Sequence, residues 1–268
     1  MSVGKAPVAS IGLDQVEAVL RPIWNEKTET ASRVRGRIEK ILDWAKVKGF
    51  RTGDNPALWR GHLDKIFPAP RNIQRINHHA ALPYAEIPKF MSVLRSVSGR
   101  PARALEFLIL TAARSGEILG ARWNEIDWRA HVWTVPASRM RAGREHRVPL
   151  STKTIELLEQ VRPTREAAAG FVFPGRNPAR RLYGMALLLV LRRMGRADVT
   201  PHGFRSTFRD WAAERTNFPR EVVEMALAHA IGNKVEEAYR RGDLFGKCSE
   251  LMDAWAEFCL GATRRPEP

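Results

Sequence analysis

Apolar residues recur at helical spacing along most of this chain, and the period shortens in one stretch only. Leu13, Val16, Val19 and Leu20 predict a first short amphipathic helix, with Asp14 near its start. Val34, Ile38, Ile41, Leu42 and Ala45 predict a longer one, which Thr30 or Ser32 would cap and Gly49 would stop. Asn55-Pro56 reads as a third helix start, with Leu58, Trp59, Leu63 and Ile66 as its buried stripe. Residues 68–83 contain Pro68, Pro70 and Pro83 and show no periodicity, so they read as a linker between a helical domain (1–67) and a second domain (84–268). His78 and His79 lie in that linker without further ligands nearby, which suits loop residues better than a metal site.

In the second domain the spacing predicts helices over 85–97, 102–112 and 116–123. Short strands then follow at 125–128, 131–135 and 145–150, with turns at Arg129-Ala130 and Ala142-Gly143. Ser151 would cap a helix running to Val161. Phe171 to Phe173 reads as extended, and further helices are expected at 179–193, 202–215, 219–228, 233–241 and 249–260. The fold class is thus mainly α, with a helical first domain and a mixed α/β second domain built on a small antiparallel sheet. On the last helix Leu251, Met252, Trp255, Phe258 and Cys259 form one apolar face. That face packs either into its own domain or onto a neighbouring protomer.

Composition narrows the partner. The 268 residues carry 44 Lys and Arg against 29 Asp and Glu, a net charge of +15. Arginine dominates the basic set, and its planar fork suits phosphate oxygens better than the point charge of lysine. A polyanion is implied, nucleic acid first, with a ribosomal or membrane surface behind it. Arg33, Arg35, Arg37 and Lys40 lie along the second predicted helix, either as a solvated face or as a surface for a DNA backbone. Cys248 and Cys259 fit no zinc spacing and read as semi-buried thiols in a reducing compartment. The first ten residues lack the apolar run of a signal peptide, and the run from Met185 to Leu191 is too short to span a bilayer. The expectation is a soluble cytoplasmic protein.

Four local groupings could carry chemistry. Arg114 lies where an apolar helix ends, three residues before Glu117, which could orient its fork; otherwise it is a surface arginine in a turn. Thr200-Pro201 precede His202 and Arg205, placing both in the first turn of a helix whose free N–H groups favour a phosphate. Alternatively His202 caps its helix and Arg205 pairs with Asp210 or another acid. His229 ends a helical run, as a phosphoryl donor or simply as a capping partner. Tyr239 precedes Arg240 and Arg241, which would lower the cost of forming a phenolate; a packing role is the ordinary alternative.

Taken in order, an arginine, His-x-x-Arg, a histidine and a tyrosine resemble the tyrosine recombinases, the phage-integrase family. Local wording resembles its prophage and genomic-island branch: Thr111 to Trp123, Val135 to Arg141, His146 to Ser151 and Leu227 to Arg241. Thr30 to Arg35 and Gly53 to Leu63 resemble the branch's core-binding domain. The resemblance implies the tyrosine recombinase catalytic fold and an enzyme that cuts and rejoins duplex DNA through a 3′-phosphotyrosyl link, inserting and excising a mobile element. It implies Arg114 and Arg205 as a phosphate clamp, His202 and His229 as their partners, Tyr239 as nucleophile and Glu117 as a supporting acid. It implies no metal or cofactor. The partners would be double-stranded attachment sites, gripped by a C-shaped clamp that assembles as a tetramer on synapsed DNA. Accessory DNA-bending or directionality proteins would assist, with no membrane involved and the protein on the bacterial nucleoid when bound.

Two departures stand out. The family lysine in the hairpin loop, a general acid toward the leaving 5′-oxygen, is matched by Arg141, a poor proton donor at neutral pH. His202, water or Lys153 would then supply the proton, or the chain is a weak or inactive DNA-binding derivative. The arm-site domain that precedes the core-binding helices in this branch is expected to be missing. Relaxation of supercoils by the same tyrosine chemistry is a third reading. A generic basic RNA-binding or ribosomal protein leaves the ordered set unexplained.

Overall fold

The computed structural model describes residues 4, 6–73, 80–163, 170–229 and 244–261. Its contacts divide the chain into two compact units, residues 1–78 and 79–268. Among the described residues it is mainly helical, with one three-stranded antiparallel sheet.

The first unit is organised by α1 (Leu13–Trp24) and α2 (Thr28–Val47), which pack side by side. Val16, Leu20 and Trp24 form the buried stripe of α1, as the spacing predicts. Trp24 stacks on Trp59 with centroids 5.4 Å apart, lies 4.6 Å from Phe67, and donates its indole N–H to the Pro68 carbonyl at 3.0 Å. The start of α2 corrects the expected cap. The helix begins at Thr28, ahead of both Thr30 and Ser32, and no side chain caps it. Gly49 ends it with φ of 74°, a conformation glycine adopts without steric cost.

The helix expected from Asn55-Pro56 does not form. The buried Asn55 amide donates to the Glu39 carbonyl at 2.8 Å and to Asp43 at 2.7 Å, and its oxygen accepts the Ala57 N–H at 2.9 Å. A side chain that bonds its own backbone two residues on makes a turn and competes with a helix. The segment therefore runs as turns, with a single 3-10 turn at Leu63–Lys65. Leu58 is left exposed, while Trp59, Leu63 and Ile66 still reach the core. A four-residue helix, α3 (Pro70–Ile73), closes the described part of this unit. His78 lies outside the described residues, as does His79.

The second unit contains α4 (Ile87–Ser96), α5 (Arg100–Thr111), α6 (Ser115–Leu119), β1 (Ile126–Asp127), β2 (Val132–Val135) and β3 (His146–Pro149). It continues through α7 (Thr152–Val161), α8 (Ala186–Arg193), α9 (Gly203–Arg215), α10 (Arg220–Ala226) and α11 (Phe245–Cys259). Helix α5 is buried continuously from Ala104 to Thr111, and α4, α6, α7, α8 and α11 pack around it. The sheet is a meander in the order β1-β2-β3, with Trp133 opposite Val148 and Val135 opposite His146. Its first turn is set by Asp127, whose carboxylate accepts the N–H groups of Arg129 and Ala130. Ser151 caps α7 as expected, accepting the Thr154 N–H at 3.3 Å.

Three boundaries differ from the pattern. Helix α6 stops at Leu119 because the chain next bridges Arg122 to Phe171. Helix α8 starts at Ala186 and not near residue 179, because a bridge between Pro174 and Arg181 holds the intervening residues in a tight loop. Helix α11 begins at Phe245, ahead of the expected residue 249. The helix expected at 233–241 lies outside the described residues.

The apolar face of α11 packs into its own unit. Trp255 is fully buried among Phe208, Trp211 and Phe258, and its indole N–H reaches the Ile109 carbonyl at 2.8 Å. Cys248 and Cys259 are fully buried, a correction to the semi-buried expectation. Burial pushes the Cys248 thiol up to about 12 and raises Cys259 well above the ordinary thiol value, so both remain protonated. Among the described residues no helix is long and apolar enough to cross a membrane.

Trp255→Ala should lower the stability of the chain by about 3–5 kcal/mol through the cavity it leaves. Urea unfolding is the check, and an unchanged midpoint would show that α11 does not belong to the core.

Candidate active site

The site is built on two helix ends. Helix α5 terminates at Ala112 in the left-handed conformation, φ 48°, and α10 is followed by Ala228 in the same conformation, φ 48°. A helix leaves its last carbonyls without intrahelical partners. Here they are taken by arginines. Arg205, from the first turn of α9, donates from Nη1 to the Ala112 carbonyl and from Nη2 to the Leu227 carbonyl. Arg114 donates from Nη2 to the Leu227 carbonyl at 3.4 Å and the Ala228 carbonyl at 3.3 Å.

Two guanidiniums thus converge on one backbone oxygen, that of Leu227. Glu117 orients Arg114: one carboxylate oxygen accepts its backbone N–H and the other its Nη1, each at 2.9 Å. Arg205 is 4% exposed, and burial together with the Arg114 charge brings its pKa down to about 10, still cationic at neutral pH. Like charges held this close in a partly desolvated site repel, and an anion between them relieves the repulsion.

His229 completes the cluster. Its backbone N–H returns to the Glu224 carbonyl at 2.9 Å, its Nδ1 lies 2.6 Å from a Glu224 carboxylate oxygen, and its Nε2 lies 3.2 Å from Arg205 Nη2. His202 stands exposed at the N-cap of α9, its carbonyl accepting the Arg205 N–H at 3.1 Å.

The turn ahead of Arg205 is anchored to the strap at residues 80–82. Thr200 N–H donates to the Ala80 carbonyl at 3.1 Å, and the Thr207 hydroxyl donates to the Leu82 carbonyl at 2.6 Å. Gly203 allows this approach, because a Cβ there would stand 2.2 Å from the Ala80 carbonyl oxygen. Thr200 also accepts the Gly203 N–H on its hydroxyl at 3.0 Å, the capping role its position predicts.

Arg141 lies exposed in the loop between β2 and β3, outside the hydrogen-bonded cluster. Lys153 is engaged on α7, its ammonium 2.8 and 3.0 Å from the two Glu156 carboxylate oxygens. Tyr239 falls outside the described residues.

Two residues join the site without having been singled out from the sequence. One is Glu224. The other is His146, the first residue of β3, held close to Glu117, Arg114 and Arg205 with its ring bonded to the Ala226 carbonyl. Burial lowers its pKa, and the two arginines add to the effect against Glu117 and the carbonyl bond. The spacing from Glu224 to His229 spans a helix end, so no helical-face rule pairs them.

The candidate DNA-contacting residues of α2 divide by environment. Arg33 is exposed and paired with Glu29 at 2.9 Å. Arg35 is half-buried, bound to Glu39 at 2.7 Å and the Ala57 carbonyl at 2.9 Å, with its guanidinium over Trp59. Arg37 and Lys40 are exposed. Arg35 is therefore used in holding the first unit together.

The phage integrase family model matches residues 81–243, and the phage integrase central domain model matches residues 1–62. Prophage integrase IntZ of Escherichia coli (strain K12) is 35% identical over 256 residues, covering 95% of this chain and 61% of its own length. Prophage integrase IntA of the same organism is 32% identical over 238 residues, covering 87% of this chain and 55% of its own length. The chain thus spans little more than half of these curated relatives. A lambda integrase dimer bound to a COC′ core site matches with a TM-score of 0.62 at 18% identity, over 90% of this chain and 84% of that one. At that identity the likeness is one of fold. A lambda integrase tetramer bound to a Holliday junction matches at 0.60 and 16% identity, over 87% of this chain and 68% of that one.

Gly203→Ala should lower the melting temperature, although Gly→Ala inside a helix ordinarily stabilises by about 1 kcal/mol. A gain would show that the strap yields freely. For His146, the depressed folded pKa means that the unfolded chain binds more protons. Its contribution to stability is full above about pH 6.5 and is lost as pH falls through the lower folded value. Thermal melts from about pH 7 to about pH 5 should show a falling midpoint whose slope His146→Gln makes shallower; equal slopes would remove His146 as the cause.

Proposed function

This chain belongs to the phage integrase family, and from that premise we propose that it is the core-binding and catalytic portion of a site-specific DNA recombinase. The observation that carries the reading is the pair of guanidiniums, Arg114 and Arg205, held on one carbonyl beside His229. Two fixed cations and an imidazole suit a phosphodiester whose negative charge grows as a fifth oxygen bonds to phosphorus. Tyr239 is the proposed nucleophile. Its oxygen bonds to phosphorus, the bond to the 5′-oxygen breaks, and a 3′-phosphotyrosyl link and a free 5′-hydroxyl result. The tyrosine proton leaves to a base and another proton reaches the 5′-oxygen. Attack by a second strand's 5′-hydroxyl reverses the step on a new partner. Each transfer exchanges one phosphodiester for another, so positioning and charge stabilisation suffice to drive it without an energy source.

His202 and His229 are the proposed proton-handling and oxygen-binding partners, with Glu117 holding Arg114. Arg141 has the charge to stabilise the leaving oxygen but is a poor donor of its proton. Residues 1–67 would bind the core site, residues 68–83 would link, and residues 84–268 would cut and rejoin. Arg33, Arg37 and Lys40 are the exposed candidates for backbone phosphates, with Arg35 contributing through the fold. The proposed substrate is a pair of duplex attachment sites brought together in a tetramer of this chain, with DNA-bending or directionality proteins assisting on the bacterial nucleoid.

Incubation with nicked duplex suicide substrates carrying candidate attachment sequences should trap a covalent protein–DNA adduct on a denaturing gel. Tyr239→Phe should abolish it, and Arg114→Ala or Arg205→Ala should slow it by roughly 10²–10³, as for loss of one preorganised donor. Arg141→Lys should speed cleavage by restoring a proton donor to the loop. Sequence-specific binding with no adduct under any condition would leave a DNA-binding protein and overturn the recombinase reading.

A further inference from the structure

We propose that Glu224 is a positioning residue for His229, fixing which ring nitrogen faces the guanidinium pair; this rests on the recombinase reading above. Glu224 holds His229 twice. Its carbonyl accepts the His229 backbone N–H at 2.9 Å, and its carboxylate stands 2.6 Å from Nδ1 of the same ring. The left-handed turn at Ala228 makes both contacts possible, because it folds the residue after the helix back over the final turn of α10.

The far side of the ring fixes the tautomer. Nε2 lies 3.2 Å from Arg205 Nη2, and an arginine can only donate. Nε2 therefore accepts, and the ring proton sits on Nδ1, directed at Glu224. Nε2 then presents a lone pair beside the guanidinium pair. It can take up the proton that the nucleophile releases, and once protonated it donates to a phosphate oxygen and can return the proton to a leaving oxygen. The carboxylate opposite stabilises the imidazolium formed, as an acid behind a histidine does in hydrolytic triads. With the proton on the other nitrogen, Nε2 would offer a hydrogen where it now offers a lone pair.

The carboxylate is itself held. Its other oxygen is paired with Arg209 Nη2 at 2.9 Å and lies 3.8 Å from Arg220 Nε, and the side chain is 13% exposed. A purely structural role would be to tie α9 to α10 through Arg209. The two roles separate by mutation, since Arg209→Ala cuts the tie and leaves the His229 contact in place.

Two measurements decide it. Ring nitrogen NMR on the histidine-labelled chain should find His229 as the Nδ1–H tautomer, and Glu224→Ala should shift it toward Nε2–H. In single-turnover cleavage of the suicide substrate, Glu224→Ala should reduce adduct formation by about 10- to 100-fold, less than the roughly 10²–10⁴ that a positioned acid–base group contributes, because the imidazole itself remains. Specific DNA binding should be retained. Glu224→Gln, which keeps an acceptor oxygen but no charge, should recover the tautomer and only part of the rate. Arg209→Ala, which loosens the carboxylate but leaves it in place, should keep the Nδ1–H tautomer and cost clearly less rate than Glu224→Ala. Added to His229→Gln, Glu224→Gln should cost nothing further. An Nε2–H ring in the wild type, or equal losses in Arg209→Ala and Glu224→Ala, would overturn the proposal. If the wild type forms no adduct, the recombinase reading fails by itself and the tautomer still decides the Glu224–His229 relation.

Discussion

The site depends on the capture of orphan helix-end carbonyls by buried guanidiniums. Ala112 and Leu227 end different helices, and Arg205 joins them from a third. A buried cation is costly unless every donor finds an oxygen, and a buried carbonyl is costly unless something donates to it. Each requirement meets the other here. The consequence is a charge whose position is set by backbone, which side-chain rotamer freedom cannot blur. Arg114 is held in the same way by the Leu227 and Ala228 carbonyls, with Glu117 fixing the other edge of its fork.

This explains why the arginines were legible in the sequence while the frame around them was not. Arg114 and Arg205 stand at helix boundaries that spacing and capping residues disclose, and Glu117 lies within one turn of Arg114. The left-handed turns at Ala112 and Ala228 fall on alanines, residues that give no sign of positive φ. His146 stands far from the other site residues along the chain and reaches them only because the β2–β3 pairing sets its register. Glu224 meets His229 only once the helix has ended and turned back.

The fold shows the same division. The apolar stripes of α1, α2, α5 and α7 follow a period set by helix geometry, so local sequence discloses them. The turn at Asn55 depends on partners on α2, Glu39 and Asp43, that local periodicity cannot supply. The late start of α8 depends likewise on a bridge closed between Pro174 and Arg181. Arg35 shows the reverse error in kind: a charge that looks free along a helix is bound into its own unit once the chain folds back over it. The two possible homes of the α11 face are separated only by the aromatic rings waiting around Trp255.

The strap at residues 80–82 bears on how the second unit can be isolated. Its Ala80 and Leu82 carbonyls are the acceptors for the Thr200 N–H and the Thr207 hydroxyl, on either side of Arg205. A fragment started at Tyr84, where a proline-rich approach suggests a clean edge, would lose both acceptors and bare the Gly203 face of α9. The natural excision point lies upstream of Ala80. A stretch that looks like tether on one side of that point is, on the other, masonry beneath the arginine clamp.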